Sequence, residues 1–485
     1  MAAFTPRPRF PPPPPVPPTQ ESQLDRQLNT LITVNGLTGE VHTHGTTTID
    51  DPLAQLGMKL FFTKALGGES SVACASCHHP ALGGADALSL AIGVDTEQED
   101  VVGRGRRHVD GLAKVPRNSP TIFNSGLSPN ALFWDGRIER IRTVDQNGEA
   151  KVGISTPDSG FGVIDEAVPN NLLNALSRFP VTSKEEMRGT GFENAQTNQA
   201  IRSHIAAKIG GYASEEAPLA TNDWLTQFRQ AFGNNRPAED LITFDSIAMA
   251  LGRYQQSLNF VDTHWHRYVR GDKSALTQAQ KRGAVLFFTQ PNQGGAGCVT
   301  CHSGERFTND GFFNLAFPQI GPGKTAQGQD LGRATITQNV QDNFAFRVPS
   351  LINVALTAPY GHSGVFDHLS QVVRHYVNPR RSVDDYFARG GACFLVQFRR
   401  DENCNDLNEG AIESTHQALR LLAQTPFQPV RLSPSEIDEL VEFLNALTDV
   451  CASSRDCIDK YIPSQQQTDP DNLRLNATDA RGNSL

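Results

Sequence analysis

Cys74-Ala75-Ser76-Cys77-His78 has a counterpart of the same spacing later in the chain, Cys298-Val299-Thr300-Cys301-His302. Cys-X-X-Cys-His is the pattern by which haem is attached covalently to a protein. The two thiols bond to the haem, and the histidine beside them is held under the iron as its proximal ligand. Thioredoxin-like redox pairs and zinc sites also use Cys-X-X-Cys, but neither needs the histidine that follows. The two motifs therefore predict two covalently bound haem c groups, with His78 and His302 as iron ligands.

The residues around the two motifs also resemble each other. Residues 57–63 precede the first motif and residues 283–289 the second, and both segments read Gly-X-X-Leu-Phe-Phe-Thr. Downstream, the segment from Arg117 to Asn124 is matched by the segment from Arg347 to Asn353. Such a repeat predicts a mainly α-helical protein with two cytochrome c-like haem domains, related by internal duplication and joined by long loops.

Composition divides the chain into four parts. Residues 1–25 contain a run of prolines and are predicted to be a disordered linker. We expect an N-terminal haem domain over residues 26–240 and a C-terminal haem domain over residues 241–463. Residues 464–485 are polar and are expected to form a frayed tail. Helical spacing of the apolar residues from Phe244 to Leu258 predicts a long amphipathic helix where the two domains meet.

The charge and hydropathy of the chain exclude several partners. The formal net charge is −9 over 485 residues and is spread along the chain, which argues against nucleic acid and anionic membranes. No apolar run approaches the roughly 18 residues of a transmembrane segment. The N-terminus shows no export signal, whereas bacteria attach haem c outside the cytoplasmic membrane. We therefore expect a periplasmic protein whose export signal has been removed or lies upstream.

Four cysteines lie outside the two haem motifs, at Cys393, Cys404, Cys451 and Cys457. An even number of cysteines at short spacings is typical of disulfides formed in an oxidising compartment. We predict that the pairs are Cys393 with Cys404 and Cys451 with Cys457, although the sequence alone permits three pairings.

From about Leu53 to Leu447 the sequence resembles the bacterial di-haem cytochrome c peroxidase and MauG superfamily. The resemblance rests on the first haem motif with its preceding Leu-Phe-Phe, and on four further segments: Arg117 to Thr121, Phe133 to Arg137, Pro180 to Met187, and Thr357 to His362. It implies an oxidoreductase in which the N-terminal haem reacts with hydrogen peroxide and the C-terminal haem delivers electrons. It also implies a small c-type cytochrome or cupredoxin as electron donor, or a protein substrate.

The resemblance assigns roles to individual residues. It places Pro180 and Glu186 over the first haem, where the carboxyl group of Glu186 would be the acid/base group; the alternative is a solvated glutamate. Trp134 resembles the electron relay between the haems, although a tryptophan packed in a core would look the same. One Ca²⁺ is expected between the domains, held by oxygen atoms of Asn118, Thr357 and Pro359.

The second ligand of the C-terminal haem is predicted from the methionines. Typical di-haem peroxidases use methionine there, but none of the four methionines of this chain follows the second haem motif. By the resemblance, Tyr376 falls at the ligand position, where the MauG branch has a tyrosine that favours oxidised iron. His375 is the rival ligand. Because neighbouring helical residues point about 100° apart, Tyr376 and His375 cannot both face the iron. Core packing is the other alternative for Tyr376.

Two features depart from the family pattern. About thirty residues, roughly Val144 to Ala175, look inserted relative to shorter members, and the role of this insertion is left open. His108 lies where some peroxidases place a histidine that blocks the first haem, but its spacing to Asn118 is imperfect, and we favour its interpretation as a plain surface histidine. The predicted function is a cytochrome-c peroxidase-like enzyme. The alternatives are a MauG-like enzyme that oxidises side chains of a partner protein and a di-haem electron-transfer cytochrome without enzymatic activity.

Overall fold

A computed structural model describes residues 22–43, 47–144, 147–192, 197–212, 218–425, 427 and 430–485. Over these residues the protein is mainly helical, as predicted. The described residues include no helix that is long and apolar enough to cross a membrane. Most of the predicted N-terminal linker lies outside the described residues, but its last residues belong to the first helix, which begins at Gln23 after the N-cap Ser22.

The structure has fifteen α-helices within the described residues, most of them short and joined by loops and single 3₁₀ turns. Their bounds are α1 Gln23–Val34, α2 Pro52–Phe62, α3 Leu172–Leu176, α4 Asn198–Gly210, α5 Trp224–Phe232, α6 Ala238–Leu241, α7 Phe244–Ser257, α8 His264–Val269, α9 Gln278–Phe288, α10 Ala334–Thr337, α11 Leu369–Val377, α12 Pro379–Ala388, α13 Ala411–Leu422, α14 Pro434–Asn445 and α15 Arg455–Ile458. The predicted amphipathic helix is confirmed as α7, in which Phe244, Ile247, Leu251 and Tyr254 are buried.

The strands of the described residues form two small antiparallel sheets. The strands β1 (Ala131–Leu132), β2 (Ile138–Val144) and β3 (Ala150–Ser155) lie side by side in that order, and β2 pairs with β3 from Glu139 opposite Ser155 to Val144 opposite Ala150. The strands β4 (Phe312–Phe313) and β5 (Phe346–Arg347) form the second sheet. The first sheet carries the segment around Trp134 and the start of the insertion.

The same helix crossing stands in front of each Cys-X-X-Cys-His motif. The helix α2 packs on α7, and a Cβ atom added to Gly57 would lie 1.9 Å from the carbonyl oxygen of Ala250. The helix α9 packs on α14, and a Cβ atom added to Gly283 would lie 1.9 Å from the carbonyl oxygen of Glu439. Each of these contacts therefore requires glycine, which explains the first residue of the repeated Gly-X-X-Leu-Phe-Phe-Thr pattern.

The two main cores divide the chain differently from the predicted domain boundaries. One core contains α2, α5, α7 and buried residues of the tail such as Leu475. The other contains α9 and α14 together with Leu28 of α1. The first helix therefore packs on the C-terminal half, whereas residues 244–260 and the end of the chain complete the N-terminal half. This is a correction to the boundaries expected at 240 and 463, and its cause is the apolar face that each of these segments buries.

The expectation that the tail is frayed is wrong, because hydrogen bonds fix it to the N-terminal half. The amide of Leu475 donates to the carbonyl oxygen of Phe62 at 2.8 Å, and the amide of Lys64 donates to Leu473 O at 3.0 Å. The Asp471 carboxylate accepts hydrogen bonds from Thr63 Oγ1 at 2.7 Å and from Trp224 Nε1 at 2.8 Å. These bonds hold the residues that immediately follow α2, on the approach to the first haem motif.

The disulfide pairing predicted from cysteine spacing is confirmed. Cys393 is bonded to Cys404, and Cys451 is bonded to Cys457. The four cysteines of the two Cys-X-X-Cys-His motifs are free thiols. The thiols that haem attachment requires are thus separate from the cysteines that stabilise the fold.

Candidate active site

One cavity of about 1230 Å³ lies between the two halves and is lined by residues of both Cys-X-X-Cys-His motifs. A pocket for a single small molecule has a volume of roughly 300–1,000 Å³, so this cavity is larger than one such ligand needs. All the site residues predicted from the sequence line it: Cys74, Cys77, His78, Asn118, Trp134, Pro180, Glu186, Cys298, Cys301, His302, Thr357, Pro359 and Tyr376. The fold therefore brings together residues that are far apart in the sequence.

The two haem-attachment turns have the same local geometry. The first cysteine of each motif begins a 3₁₀ turn, Cys74–Ser76 or Cys298–Thr300, and its carbonyl oxygen accepts a hydrogen bond from the amide of the motif histidine. Burial lowers the pKa of His78 and of His302 to about 4, so both imidazoles are neutral at pH 7. Neutral imidazole is the form that binds iron. His302 Nδ1 lies 3.0 Å from Phe307 O, an arrangement that leaves Nε2 for the metal.

The four motif thiols fit covalent attachment of haem. Burial raises the pKa of Cys74, Cys77 and Cys298 to about 12, and it also raises the pKa of Cys301. These thiols are therefore protonated at neutral pH, unlike the low-pKa cysteine of a thioredoxin-like site. Neither motif lies in a group of three or more His, Cys, Asp or Glu side chains that could hold a metal ion within the described residues.

Glu186 projects from a five-residue π-helical turn, Lys184–Arg188, that follows Pro180. Gly93 lies directly against this turn, since a Cβ atom added to Gly93 would lie 2.2 Å from the carbonyl oxygen of Glu186. Burial raises the pKa of the Glu186 carboxyl, and the nearby cations of Arg137 and Lys324 oppose that rise. A half-buried carboxyl with a raised pKa on the wall of a cavity is suited to accept a proton and return it.

Trp134 is half-buried and is held by both halves of the molecule. Its Nε1 donates a hydrogen bond to Asn118 O at 2.9 Å, and its carbonyl oxygen accepts one from the Arg347 amide at 2.8 Å. It lines the cavity that the two haem motifs share, a position compatible with the predicted relay.

A buried ion network beside Trp134 was not predicted from the sequence. The Arg117 guanidinium lies 2.6 Å from Asp135 and 2.6 Å from Asp330, which belongs to the C-terminal half. Lys324 Nζ lies 3.3 Å from Asp135, and Arg137 also pairs with that carboxylate. Burial opposes ionisation of Asp135, but the surrounding cations hold its pKa well below the usual range. The network fixes the two halves against each other at the cavity.

Tyr376 and His375 point in different directions from α11. Tyr376 lines the cavity, whereas His375 is fully buried and its Nε2 lies 2.8 Å from the carbonyl oxygen of Leu315. Burial raises the pKa of the Tyr376 phenol. Of the two candidate ligands, only Tyr376 therefore lies on the wall of the cavity that His302 also lines.

The three predicted calcium ligands all line the cavity. Asn118 Nδ2 donates to Leu88 O at 2.7 Å, which leaves Oδ1 as the donor atom for a cation, and Thr357 and Pro359 line the same cavity.

His108 is only 4% exposed and accepts a hydrogen bond from the Asp110 amide. The interpretation of His108 as a surface histidine is therefore wrong, and His108 is also not among the residues that line the cavity.

Two Cys-X-X-Cys-His motifs with neutral histidines around one cavity, in a mainly helical fold, define a c-type di-haem protein. The family model described as di-haem cytochrome c peroxidase matches residues 51–274. The methylamine utilization protein MauG of Methylorubrum extorquens is 29% identical over 324 residues, which cover 66% of this chain and 67% of that protein. The cytochrome c551 peroxidase of Pseudomonas aeruginosa is 28% identical over 325 residues, which cover 67% and 71%. These matches make the chain similar to the di-haem cytochrome c peroxidases and the MauG proteins, and they support its assignment as an oxidoreductase.

Solved structures show the same fold. A MauG-like protein associated with microbial copper homeostasis has a TM-score of 0.54 and 22% identity, over 88% of this chain and 96% of that chain. The diheme peroxidase BthA from Burkholderia thailandensis has a TM-score of 0.51 and 21% identity, over 88% of this chain and 90% of that chain.

Proposed function

We propose that this chain is a periplasmic di-haem enzyme that reduces hydrogen peroxide at the N-terminal haem site. Electrons would pass through the C-terminal haem site from a small c-type cytochrome or a cupredoxin. The observation that carries the proposal is the arrangement of one cavity, in which Glu186 and Pro180 accompany the first motif, Tyr376 accompanies the second, and Trp134 is held by both halves. The matching helix crossings support two haem domains that arose by internal duplication.

The residues of the chain would divide the work. When bound, the two haem groups would supply the redox-active irons, attached through the motif cysteines and held by His78 and His302. Glu186 would accept a proton from one oxygen of hydrogen peroxide and return it to the other. Each peroxide consumes two electrons and two protons and yields two water molecules, and Trp134 would relay electrons between the sites. Oxygen atoms of Asn118, Thr357 and Pro359 would hold one Ca²⁺.

A second candidate function is MauG-like oxidation of side chains on a partner protein. The observation that favours it is Tyr376 at the cavity wall, together with the lack of a methionine after the second haem motif. A phenolate ligand would stabilise oxidised iron and would disfavour simple electron delivery. In this reading the protein substrate takes the place of the electron donor.

Stopped-flow spectroscopy of the fully haem-loaded ferric protein tests these functions. An enzyme of either kind reacts rapidly with hydrogen peroxide, whereas a di-haem electron carrier shows no peroxide-dependent absorbance change. Steady-state consumption of peroxide with a reduced c-type cytochrome then supports the peroxidase. Rapid reaction with peroxide but no turnover with reduced cytochrome or cupredoxin would favour side-chain oxidation.

A further inference from the structure

Part of the insertion between Trp134 and Pro180 forms a wall of the cavity. After β3 the chain turns over residues 156–165, and Pro157 in this turn is exposed to solvent while it also lines the cavity. Asn198, Pro180 and Glu186 line the same cavity. A residue that faces both solvent and a cavity lies at its mouth, so the 156–165 turn stands at an entrance on the side of the first haem motif.

Internal hydrogen bonds make the 156–165 turn rigid. Thr156, which is 1% exposed, donates from Oγ1 to the Asp165 carboxylate at 2.5 Å. The Asp158 amide donates to Thr156 Oγ1 at 3.2 Å. Ser159 Oγ accepts a hydrogen bond from the Thr156 amide at 3.1 Å and donates to Val163 O at 2.8 Å. These four hydrogen bonds connect the two ends of the turn and favour one shape for it.

The turn is also anchored to α4, the helix that packs against the segment carrying Pro180. One Asp158 carboxylate oxygen lies 2.5 Å from Arg202 Nη2, and the other accepts a hydrogen bond from Asn198 Nδ2 at 2.7 Å. The Arg202 guanidinium is 2% exposed and lies 5.7 Å from the ring centroid of Phe179, the residue before Pro180. Moving the turn aside would leave Arg202 buried without its carboxylate, which is strongly unfavourable.

A second anchor comes from the C-terminal half. Arg333 lies 5.0 Å from the ring centroid of Phe161 and 4.3 Å from that of Phe312, so its guanidinium contacts both halves. The base of the insertion is held by a small core that includes Ile154, Leu173 and Phe179. The 156–165 turn is therefore a fixed part of the wall.

We propose that the 156–165 turn determines the substrate class by admitting hydrogen peroxide to Glu186 and excluding bulky alkyl and aryl hydroperoxides. This inference rests on the proposed function and adds its specificity. A hydroperoxide carrying a cumyl group needs room at the cavity mouth, and the turn cannot give way without breaking the pair of Asp158 and Arg202. Hydrogen peroxide has no such group and passes a fixed opening.

The test compares two variants with a matched control. Asp158→Ala releases the anchor, and Pro157→Gly removes the ring that lines the mouth. Asp245→Ala is the control, because Asp245 pairs with the buried Arg178 in the same manner but neither residue lines the cavity. We expect the ratio of second-order rate constants for cumene hydroperoxide and hydrogen peroxide to rise about tenfold in the first two variants and to stay at the wild-type value in the control.

A second measurement does not depend on peroxidase activity. The rates at which cyanide and 4-phenylimidazole bind to the ferric, haem-loaded protein should show the same selective gain for the larger ligand. If neither hydroperoxide reacts but the ratio of the 4-phenylimidazole and cyanide binding rates rises, the proposed function is contradicted and the role of the 156–165 turn is supported. If both ratios stay at the wild-type value in both variants, or rise equally in Asp245→Ala, the proposal is overturned.

Discussion

The two haem-attachment sites share the residues that attach haem and differ in the other residues that line the cavity. In both halves a glycine-dependent helix crossing leads to a 3₁₀ turn and a neutral histidine. Beside the first motif stands Glu186, a carboxyl group whose pKa is raised by burial, and beside the second stands the phenol of Tyr376. A repeated scaffold can therefore hold two cofactors of one kind while a few lining residues give them different chemistry.

The helix α1 and the C-terminal tail connect the two halves that carry these unlike sites. The helix α1 joins the C-terminal core, where Asp25 lies 2.7 Å from Lys281 and accepts a hydrogen bond from Tyr268. The tail joins the N-terminal core through Leu475 and Asp471. Because α1 and the tail each pack on the opposite half, neither half keeps its complete core if the chain is cut in the middle.

Removal of one pair of motif cysteines should have the largest effect, because it removes one of the two haem-attachment sites. Wild-type protein should retain two haems after denaturation, whereas Cys74→Ala with Cys77→Ala, or Cys298→Ala with Cys301→Ala, should retain one, as measured by a pyridine haemochrome assay. Loss of the first site should abolish the reaction with peroxide. Loss of the second should remove the electron supply and leave part of that reaction. One haem per wild-type chain would contradict the prediction.

Glu186→Gln tests whether the first site owes its chemistry to a carboxylate. The amide cannot accept the peroxide proton, so the reaction with hydrogen peroxide should slow by about 10² or more in stopped-flow measurements. Glu185→Gln is a matched control because it is the adjacent residue, has the same side chain and is exposed. Equal rates in the wild type and in Glu186→Gln, with both haems attached, would remove Glu186 from the mechanism.

Tyr376→Met tests the opposite site. Methionine is a weaker electron donor than phenolate and should raise the reduction potential of the C-terminal haem, within the range of about 0.8 V over which axial ligands act. Tyr376→Phe should leave a ligand position open and change the low-temperature EPR signal of this haem. Tyr360→Phe is the control, since Tyr360 lines the same cavity. If Tyr376→Phe keeps the wild-type potential and signal, Tyr376 is a packing residue.

The sequence predicts best what local spacing encodes. The haem motifs, α7 and both disulfides could be predicted because their residues follow short, regular patterns. The pairing of Arg117 with Asp330 could not, because an arginine and an aspartate more than 200 positions apart carry no periodic signal. The docked tail was missed for a related reason, since its polar composition hides Leu475 and Asp471, which the fold buries.

Lys324 tests the smallest expected difference between the two sites. It belongs to the C-terminal half, and its charge would change the pKa of Glu186 in the N-terminal site. A cation stabilises a nearby carboxylate, so Lys324 lowers the pKa of Glu186 and Lys324→Met should raise it further. As pH falls through the pKa of Glu186, the carboxylate takes up a proton and the rate falls, so the acid limb should move to higher pH. Burial lowers the pKa of Lys324 itself to about 8, so wild type and variant should converge above that pH. Lys324→Arg retains the charge and should keep the wild-type limb in a pH profile of the peroxide reaction. An unmoved limb in Lys324→Met, or an equal shift in both variants, would mean that Lys324 only packs between the halves.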